Sequence, residues 1–224
     1  MAFHQRSLLA LGEPGVDPSA RFERLGLGGD TWVDTARGWC RGSDGLFDAL
    51  VAAVPWRQGR RVMYERMLDD PRLSYHCAGR GDAPHPALPG LADALEARYG
   101  TAFGGPGCNW YRDGADSVAF HRDRELRELD DTLVAVLTLG GPRPFLLRPR
   151  GGGRSLDLAP GPGDLLVMGG ACQRDWEHAV PKVARAVARI SVTWRARVGT
   201  PAPPPAAAGQ GRVVTRTPAK RSVS

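Results

Sequence analysis

The part of the sequence that follows Cys108 restricts the fold most, because it is a succession of short strand-like runs separated by turn-forming residues. Seven such runs occur there: NWY, DSVAFH, TLVAVLTL, PFLLRP, SLDLAP, GDLLVMGG and ARISVTWRARV. The stretches between them contain DG, GGP, RGGGR and PGPGD, and Gly, Pro and Asp favour turns for steric and hydrogen-bonding reasons. This pattern predicts a domain built from two antiparallel sheets.

Two helices are predicted before the strand-rich region. Ser43 is a candidate N-cap for the first, within 43–56, and Pro55 ends it. Its apolar face would consist of Leu46, Phe47, Leu50, Val51 and Val54. The second lies within 88–100, where Leu91, Leu95 and Tyr99 form one stripe and Gly100 ends the helix. We therefore expect an α+β, mainly β fold: a double-stranded β-helix (jelly roll) with N-terminal supporting helices.

Composition divides the chain into one domain and two flanking segments. Residues 1–30 show no sustained period and are expected to be irregular, residues 31–198 form the domain, and residues 199–224 form a disordered basic Pro/Ala-rich tail. Residues 196–224 hold five basic and no acidic side chains, so the remaining 195 residues carry 25 basic and 24 acidic ones, a net charge near +1. The basic balance is therefore weak evidence for nucleic-acid binding by the domain.

The four cysteines are scattered without a CxxC pair, and no apolar run at the N-terminus is long enough for a signal peptide or a membrane span. We therefore expect a cytoplasmic protein without a structural disulfide. Charged residues flank most of the strands and leave no obvious apolar face for pairing, so we also expect a monomer.

Residues 109–125, NWYRDGADSVAFHRDRE, contain the clearest candidate for a functional site. Alternate residues of a strand point to one face, so His121, Asp123 and Glu125 would project together if the chain stays extended. Two histidines with one carboxylate suit a non-haem Fe(II) site. His178, behind the apolar run GDLLVMGG, is the best second histidine, although an HxD pair alone often arises by chance.

Arg189 and Arg195 lie six residues apart on one face of the last strand. Burying two guanidinium groups is costly unless each meets an anion, and a dicarboxylate ligand would serve both. The alternative places both arginines on the solvent face and Ile190, Val192 and Trp194 inside. The pattern alone does not decide between them.

Taken in order, these motifs resemble those of the AlkB-like Fe(II)/2-oxoglutarate-dependent dioxygenases, and most closely the bacterial branch that repairs alkylated nucleic acids. The resemblance covers most of residues 40–198. It rests on NWYRDG (109–114), DSV (116–118), HRDRE (121–125), the distal His178 and RISVTWR (189–195), with weaker likeness in VPWR, MYER, DPRL and HPAL.

The resemblance implies three ligands for Fe(II): His121, Asp123 and His178. It implies that Arg189, Arg195, Asn109 and Tyr111 hold the cosubstrate 2-oxoglutarate, that O2 is the oxidant, and that Glu125 and Tyr64 contact the substrate. Tyr64 would lie in a loop of the nucleotide-recognition lid. The Asp113-Gly114 turn would fold the cosubstrate strand against the metal strand as a hairpin.

The implied activity is oxidative demethylation of alkylated DNA or RNA, single-stranded or with a flipped base. Lesions such as 1-methyladenine and 3-methylcytosine would lose formaldehyde, while 2-oxoglutarate becomes succinate and CO2. Tyr75 or Trp56 could stack on the base, although packing is the commoner role for such aromatic side chains. Two alternatives stay open: a 2-oxoglutarate oxygenase of a protein or small molecule, and a non-enzymatic jelly-roll module that binds nucleic acid.

Overall fold

A computed structural model describes residues 12–63 and 66–196. Its helices are α1 (Ser43–Ala53), α2 (Ala87–Tyr99) and the short α3 (Cys172–Asp175). Its strands are β1 (Gly15–Val16), β2 (Phe22–Gly28), β3 (Thr31–Ala36), β4 (Cys40–Arg41), β5 (Arg57–Met63), β6 (Arg66–His76), β7 (Gly107–Tyr111), β8 (Val118–His121), β9 (Thr132–Gly140), β10 (Leu146–Pro149), β11 (Leu156–Asp157), β12 (Leu165–Gly170), β13 (Trp176–Val180) and β14 (Arg189–Arg195).

Two antiparallel sheets form the body of the domain. The large sheet has eight strands in the order β2-β3-β12-β9-β14-β7-β6-β5, and the small sheet has four in the order β11-β10-β13-β8. Strands β1 and β4 form a separate pair. This arrangement confirms the predicted mainly β jelly roll with helices in its N-terminal half.

The central strands of the large sheet are covered on both faces, as β9 shows. All nine residues of β9 are buried. Leu133, Ala135, Leu137 and Leu139 face the helices α1 and α2, whereas Val134 and Val136 face the small sheet. A strand buried on both faces favours a nearly continuous run of apolar residues, which explains the run TLVAVLTL with its six apolar residues and two threonines. We call the face of the large sheet that is directed at the small sheet the site face.

Both predicted helices are present, although the first begins differently from expectation. Leu46 and Leu50 are fully buried on α1, but the N-cap is Gly42 in a left-handed conformation and no side chain caps the helix. The prediction that Ser43 is the cap was therefore wrong, because Ser43 is already inside the first turn. Gly100 ends α2 with φ 65°, as predicted. No helix among the described residues is long and apolar enough to cross a membrane.

The N-terminal half contains more strand than its sequence indicates. Within the segment expected to be irregular, residues 22–28 form β2, an edge strand whose side chains are mostly exposed. An edge strand with one poorly covered face needs no apolar alternation, so its sequence carries little signal. Strands β5 and β6 form a hairpin at the opposite edge of the large sheet. The predicted tail, residues 199–224, lies outside the described residues.

The Asp113-Gly114 turn does not close a hairpin. Strand β7 pairs with β14 and β6 in the large sheet, whereas β8 pairs with β13 in the small sheet, so residues 112–117 carry the chain from one sheet to the other. A Cβ on Gly114 would lie 2.2 Å from the carbonyl oxygen of Val183. Glycine is therefore required here for close backbone contact, and the predicted hairpin was wrong.

Candidate metal and cosubstrate site

Three predicted ligands meet where β8, β13 and the segment after β8 come together. His121 and His178 are directly paired across β8 and β13. Nε2 of His121 lies 3.9 Å, and Nε2 of His178 lies 4.0 Å, from Oδ1 of Asp123. One ligand atom from each residue falls within 4.8 Å of the other two. We call these residues the metal triad; two imidazoles and one carboxylate match the donor set that suits Fe(II).

The protonation states in the triad favour metal binding. Burial lowers the pKa of His178 to about 3, and the nearby His121 and Arg195 act in the same direction, so its imidazole is neutral at pH 7. Burial alone would raise the pKa of Asp123, but the two imidazoles and Arg195 hold it below its usual value. Nδ1 of His121 lies 2.9 Å from the carbonyl oxygen of Ala119. A proton on that nitrogen leaves Nε2 free to coordinate a metal.

Gln173 of α3 and Arg195 of the large sheet fix Asp123. The backbone N–H of Asp123 donates to Oε1 of Gln173 at 2.9 Å, and Gln173, in α3, is fully buried. Nε of Arg195 donates to Oδ2 of Asp123 at 2.7 Å. The carboxylate therefore keeps Oδ1 directed at the imidazoles. Arg195 was predicted to hold the cosubstrate, and in the structure it already has one anionic partner.

Arg189 is buried without an anionic partner among the described residues. Its side chain is 0% exposed, and Nη2 donates to Oγ1 of Thr138 at 3.1 Å, but Nε and Nη1 make no hydrogen bond there. Burial lowers its pKa to about 10, so the group is still charged at pH 7. An unpaired buried guanidinium is unfavourable, and a carboxylate of a bound ligand would satisfy it.

Strand β14 settles the orientation of the two arginines. Ile190, Val192 and Trp194 are fully buried against the helix-side core, so the residues between them lie on the site face. The solvent-face alternative is therefore wrong for Arg189, while the side chain of Arg195 is 35% exposed.

The predicted cosubstrate residues of β7 lie beside this guanidinium on the site face. Tyr111 is paired with Arg189 across the strands, and the guanidinium carbon lies 5.8 Å from the centre of its ring. Asn109 occurs two residues earlier, and its Oδ1 accepts a hydrogen bond from Nε of Arg72 at 3.0 Å. The structure thus brings Asn109, Tyr111 and Arg189 onto one face, where Tyr111 and Arg189 are buried and Asn109 is half-buried.

The predicted substrate residues are less well placed. Strand β8 ends at His121, and Glu125 lies in an exposed turn after it. The expectation that residues 121–125 stay extended and point inward together was wrong, because the chain turns after Asp123, where the N–H of Leu126 donates to the carbonyl oxygen of Asp123 at 3.0 Å. Tyr64 lies outside the described residues. Tyr75 and Trp56 pack against the helix-side core.

Sequence reasoning missed four residues that shape the site: Gln173, Thr138, Arg72 and Arg143. Arg143 is 2% exposed and donates to the carbonyl oxygens of Asp113, Asp116 and Pro181, which holds the crossing between the sheets. A charged residue in the apolar stretch GGPRPFLL was the only available signal for it. The other three act through single contacts between residues distant in sequence, which no local pattern reveals.

Comparison with known proteins gives a consistent result. The sequence profile of the 2OG-Fe(II) oxygenase superfamily matches residues 106–212. The alpha-ketoglutarate-dependent dioxygenase alkB homolog 3 of Bos taurus is 31% identical over 177 residues, which cover 68% of this chain and 61% of that protein. The DNA oxidative demethylase ALKBH2 of Arabidopsis thaliana is 27% identical over 236 residues, covering 84% of this chain and 74% of the relative.

The chain thus spans about 61% of the length of the alkB homolog 3 proteins that it matches. Among solved structures, that of OsALKBH1 superimposes with a TM-score of 0.51 at 12% identity, over 78% of this chain and 100% of the other. At this identity the likeness concerns the fold alone, and it agrees with the jelly roll described above.

Proposed function

We infer that the chain, which contains a 2OG-Fe(II) oxygenase domain similar to those of the AlkB homologues, is an oxidative demethylase of alkylated DNA or RNA. One observation carries the proposal: the metal triad and a buried guanidinium that lacks an anion among the described residues both lie between the two sheets. Such a site is suited to a metal and a carboxylate-bearing ligand together.

The donor atoms fit the proposed cofactors. His121, Asp123 and His178 would hold Fe(II), which leaves coordination positions open for other ligands. Arg189 would bind one carboxylate of 2-oxoglutarate, assisted by Tyr111 and Asn109. Arg195 would bind the other end through the nitrogens that do not contact Asp123. Its existing hydrogen bond to Asp123 would then keep the metal ligand and the cosubstrate in fixed relative positions.

The arrangement supports the following proposed reaction. When bound, Fe(II) with 2-oxoglutarate and O2 supplies hydroxylation of a carbon atom, with succinate and CO2 as products. An N-methyl group hydroxylated in this way leaves as formaldehyde and returns the unmodified base. The protein's own contributions are to orient the cosubstrate through Arg189 and to exclude water from the buried side of the triad, where His178 stacks on Phe145 with ring centres 5.7 Å apart.

The nucleic-acid substrate is supported by the relatives, since one of them bears the name DNA oxidative demethylase. Bases such as 1-methyladenine and 3-methylcytosine carry positive charge and pair poorly, so the free-energy cost of extruding them from a duplex is low. In a single strand no extrusion is needed. Glu125, exposed two residues beyond Asp123, would attract a cationic base. Tyr64 is retained as a proposed contact of the substrate strand. We propose a monomer that acts in the cytoplasm.

The test is product release. Protein loaded anaerobically with Fe(II) and 2-oxoglutarate would be mixed with O2 and a single-stranded oligonucleotide that contains 3-methylcytosine. We expect formaldehyde and succinate in equal amounts, dependent on iron and on the lesion. His121→Ala should abolish both products, whereas His85→Ala, at the start of α2, should not. Succinate without formaldehyde from every alkylated oligonucleotide would refute the proposed substrate.

A further inference from the structure

Arg72, on strand β6, contacts one of the proposed cosubstrate residues. Ser74 of the same strand is paired with Asn109 of β7, which lies on the site face. Alternate residues of a strand share a face, so Arg72, two residues before Ser74, lies on the site face as well. Nε of Arg72 donates to Oδ1 of Asn109 at 3.0 Å. A half-buried guanidinium is therefore bonded directly to a side chain of the site.

This hydrogen bond determines which way the side-chain amide of Asn109 is turned. A guanidinium has hydrogen-bond donors only, whereas a carboxamide has an acceptor oxygen at one end and a donor nitrogen at the other. The atom of Asn109 that faces Arg72 must therefore be Oδ1, and Nδ2 is turned away from Arg72. Without the guanidinium, nothing in this contact would distinguish the two orientations of the amide.

Asn109 also lies close to the buried guanidinium of Arg189. In the large sheet β7 lies between β6 and β14, and Arg189 of β14 is paired with Tyr111, two residues from Asn109. Arg189 and Asn109 are therefore diagonal neighbours on one face, a spacing that long side chains can bridge. Burial raises the pKa of the Tyr111 phenol, whereas the nearby Arg189 and Arg72 act in the opposite direction. A carboxylate bound by Arg189 would thus be within reach of a donor on Asn109.

We propose that Arg72 is a positioning residue of the cosubstrate site, which holds the amide of Asn109 so that Nδ2 donates to a carboxylate of 2-oxoglutarate; this inference rests on the proposed function. A carboxylate only accepts hydrogen bonds, so it is attracted by Nδ2 and repelled by Oδ1. Arg72 acts through Asn109 and does not touch the ligand. The contact therefore favours a ligand that presents an anionic group at this point.

The test measures 2-oxoglutarate affinity by calorimetry on the Mn(II)-loaded protein under anaerobic conditions. We expect Arg72→Leu to weaken 2-oxoglutarate binding about tenfold, as for the loss of one charge-assisted hydrogen bond, and Arg72→Lys, which can still donate to Oδ1 of Asn109, to restore part of the affinity. Affinity for Mn(II) itself should be unchanged. Arg60→Leu is the matched control, since it removes an exposed arginine of the same hairpin, paired with Asp69 at 3.2 Å, and should bind 2-oxoglutarate as the wild type does.

Two variants of Asn109 test the orientation of the amide. Asn109→Asp has nearly the same shape and can still pair with Arg72, but an oxygen replaces Nδ2, so it should bind 2-oxoglutarate no better than Asn109→Ala does. Because Arg72 acts through Asn109, Arg72→Leu should cause no further loss when it is combined with Asn109→Ala. A merely structural role of Arg72 would instead reduce the affinity by the same factor with and without the Asn109 side chain.

Three results would overturn the positioning role: wild-type 2-oxoglutarate affinity in Arg72→Leu, wild-type affinity in Asn109→Asp, or an equal loss from Arg72→Leu with and without the Asn109 side chain. None of them concerns the substrate, so failure of the demethylase function is distinguishable. That failure would appear as wild-type protein that binds Mn(II) and 2-oxoglutarate but releases no formaldehyde from alkylated oligonucleotides, and the role of Arg72 would still be decided by the binding data. Wild-type protein that binds no 2-oxoglutarate would overturn both.

Discussion

Arg189 carries a charge in the interior that the described part of the chain does not neutralise. Its nearest polar partners are Thr138, through a hydrogen bond, and the ring of Tyr111. Neither is an anion. The free protein therefore bears an electrostatic cost at this position, and a bound carboxylate would remove it.

This situation gives an unusual prediction for Arg189→Met. Methionine fills similar space without charge, so the free energy of unfolding of the ligand-free protein should stay the same or rise. Affinity for 2-oxoglutarate, measured by calorimetry on the Mn(II)-loaded protein, should fall on the order of 100-fold, since a buried charge-assisted contact is lost. A variant that loses stability and keeps its 2-oxoglutarate affinity would show that Arg189 is structural.

Gln173 gives a second prediction at the scale of a single residue. Gln173→Leu keeps the volume but removes the acceptor for the backbone N–H of Asp123. Partners that orient metal ligands are worth about 10- to 100-fold in metal affinity, and we expect a loss of that size in a Mn(II) titration. Gln58→Leu, on the hairpin edge strand β5, is the matched control. Equal Mn(II) affinity in Gln173→Leu and the wild type would contradict this role.

Among the structural elements, the crossing from β7 to β8 positions the site, because it leads the chain from the strand of Asn109 and Tyr111 to the strand of His121. Gly114→Ala would force a Cβ to within 2.2 Å of the Val183 carbonyl oxygen, and backbone atoms cannot yield easily. We expect a loss of about 1–3 kcal/mol in unfolding free energy, measured by urea denaturation. Gly45→Ala in α1, where a Cβ meets nothing within 4 Å, should be neutral or stabilising. Equal stability of the two variants would exclude tight packing at the crossing.

The elements also show which features a sequence can reveal. Alternate residues of a strand point to the same face. This rule correctly placed Arg189 and Arg195 on one face of β14, and Asn109 and Tyr111 on one face of β7. The same rule failed at Glu125, since it requires that the strand continue and β8 ends at His121. Turn residues revealed the break after β7, but Gly114 does not encode whether the next strand joins the same sheet.

Edge elements escaped prediction for a related reason. Strand β2 exposes most of its side chains, so its residues are chosen for contact with solvent and show no apolar period. Strands near the centre of the large sheet were found, since burial on both faces leaves a continuous apolar run. Contacts such as that between Gln173 and Asp123 bridge 50 residues and become visible only in the folded chain.

For the whole molecule, the metal triad connects parts that the backbone leaves separate. Its histidines belong to the small sheet, while Asp123 is held by Gln173 of α3 through its backbone N–H and by Arg195 of the large sheet through its carboxylate. A bound metal should therefore stabilise the two sheets as one unit. At a metal concentration 100 times Kd the gain is about 2.7 kcal/mol, or roughly 5–10 °C in Tm for a domain of this size.

This expectation is checked by thermal unfolding with Mn(II) and again after chelation. The wild type should lose its added stability when the metal is removed, and His178→Ala should show no response to Mn(II) at any concentration. His85→Ala should respond as the wild type does. A metal-dependent rise in Tm that persists in His178→Ala would place the ion elsewhere.

The seven residues of strand β14 contribute to the core on one face and to the site on the other. Its even-numbered positions, Ile190, Val192 and Trp194, maintain the helix-side core, and its odd-numbered positions begin and end with the arginines of the site. Substitutions at the two sets are therefore nearly independent in their effects. During evolution, substitutions at the site-facing positions of the strand can change which ligand is bound. The core-facing positions meanwhile keep the domain folded.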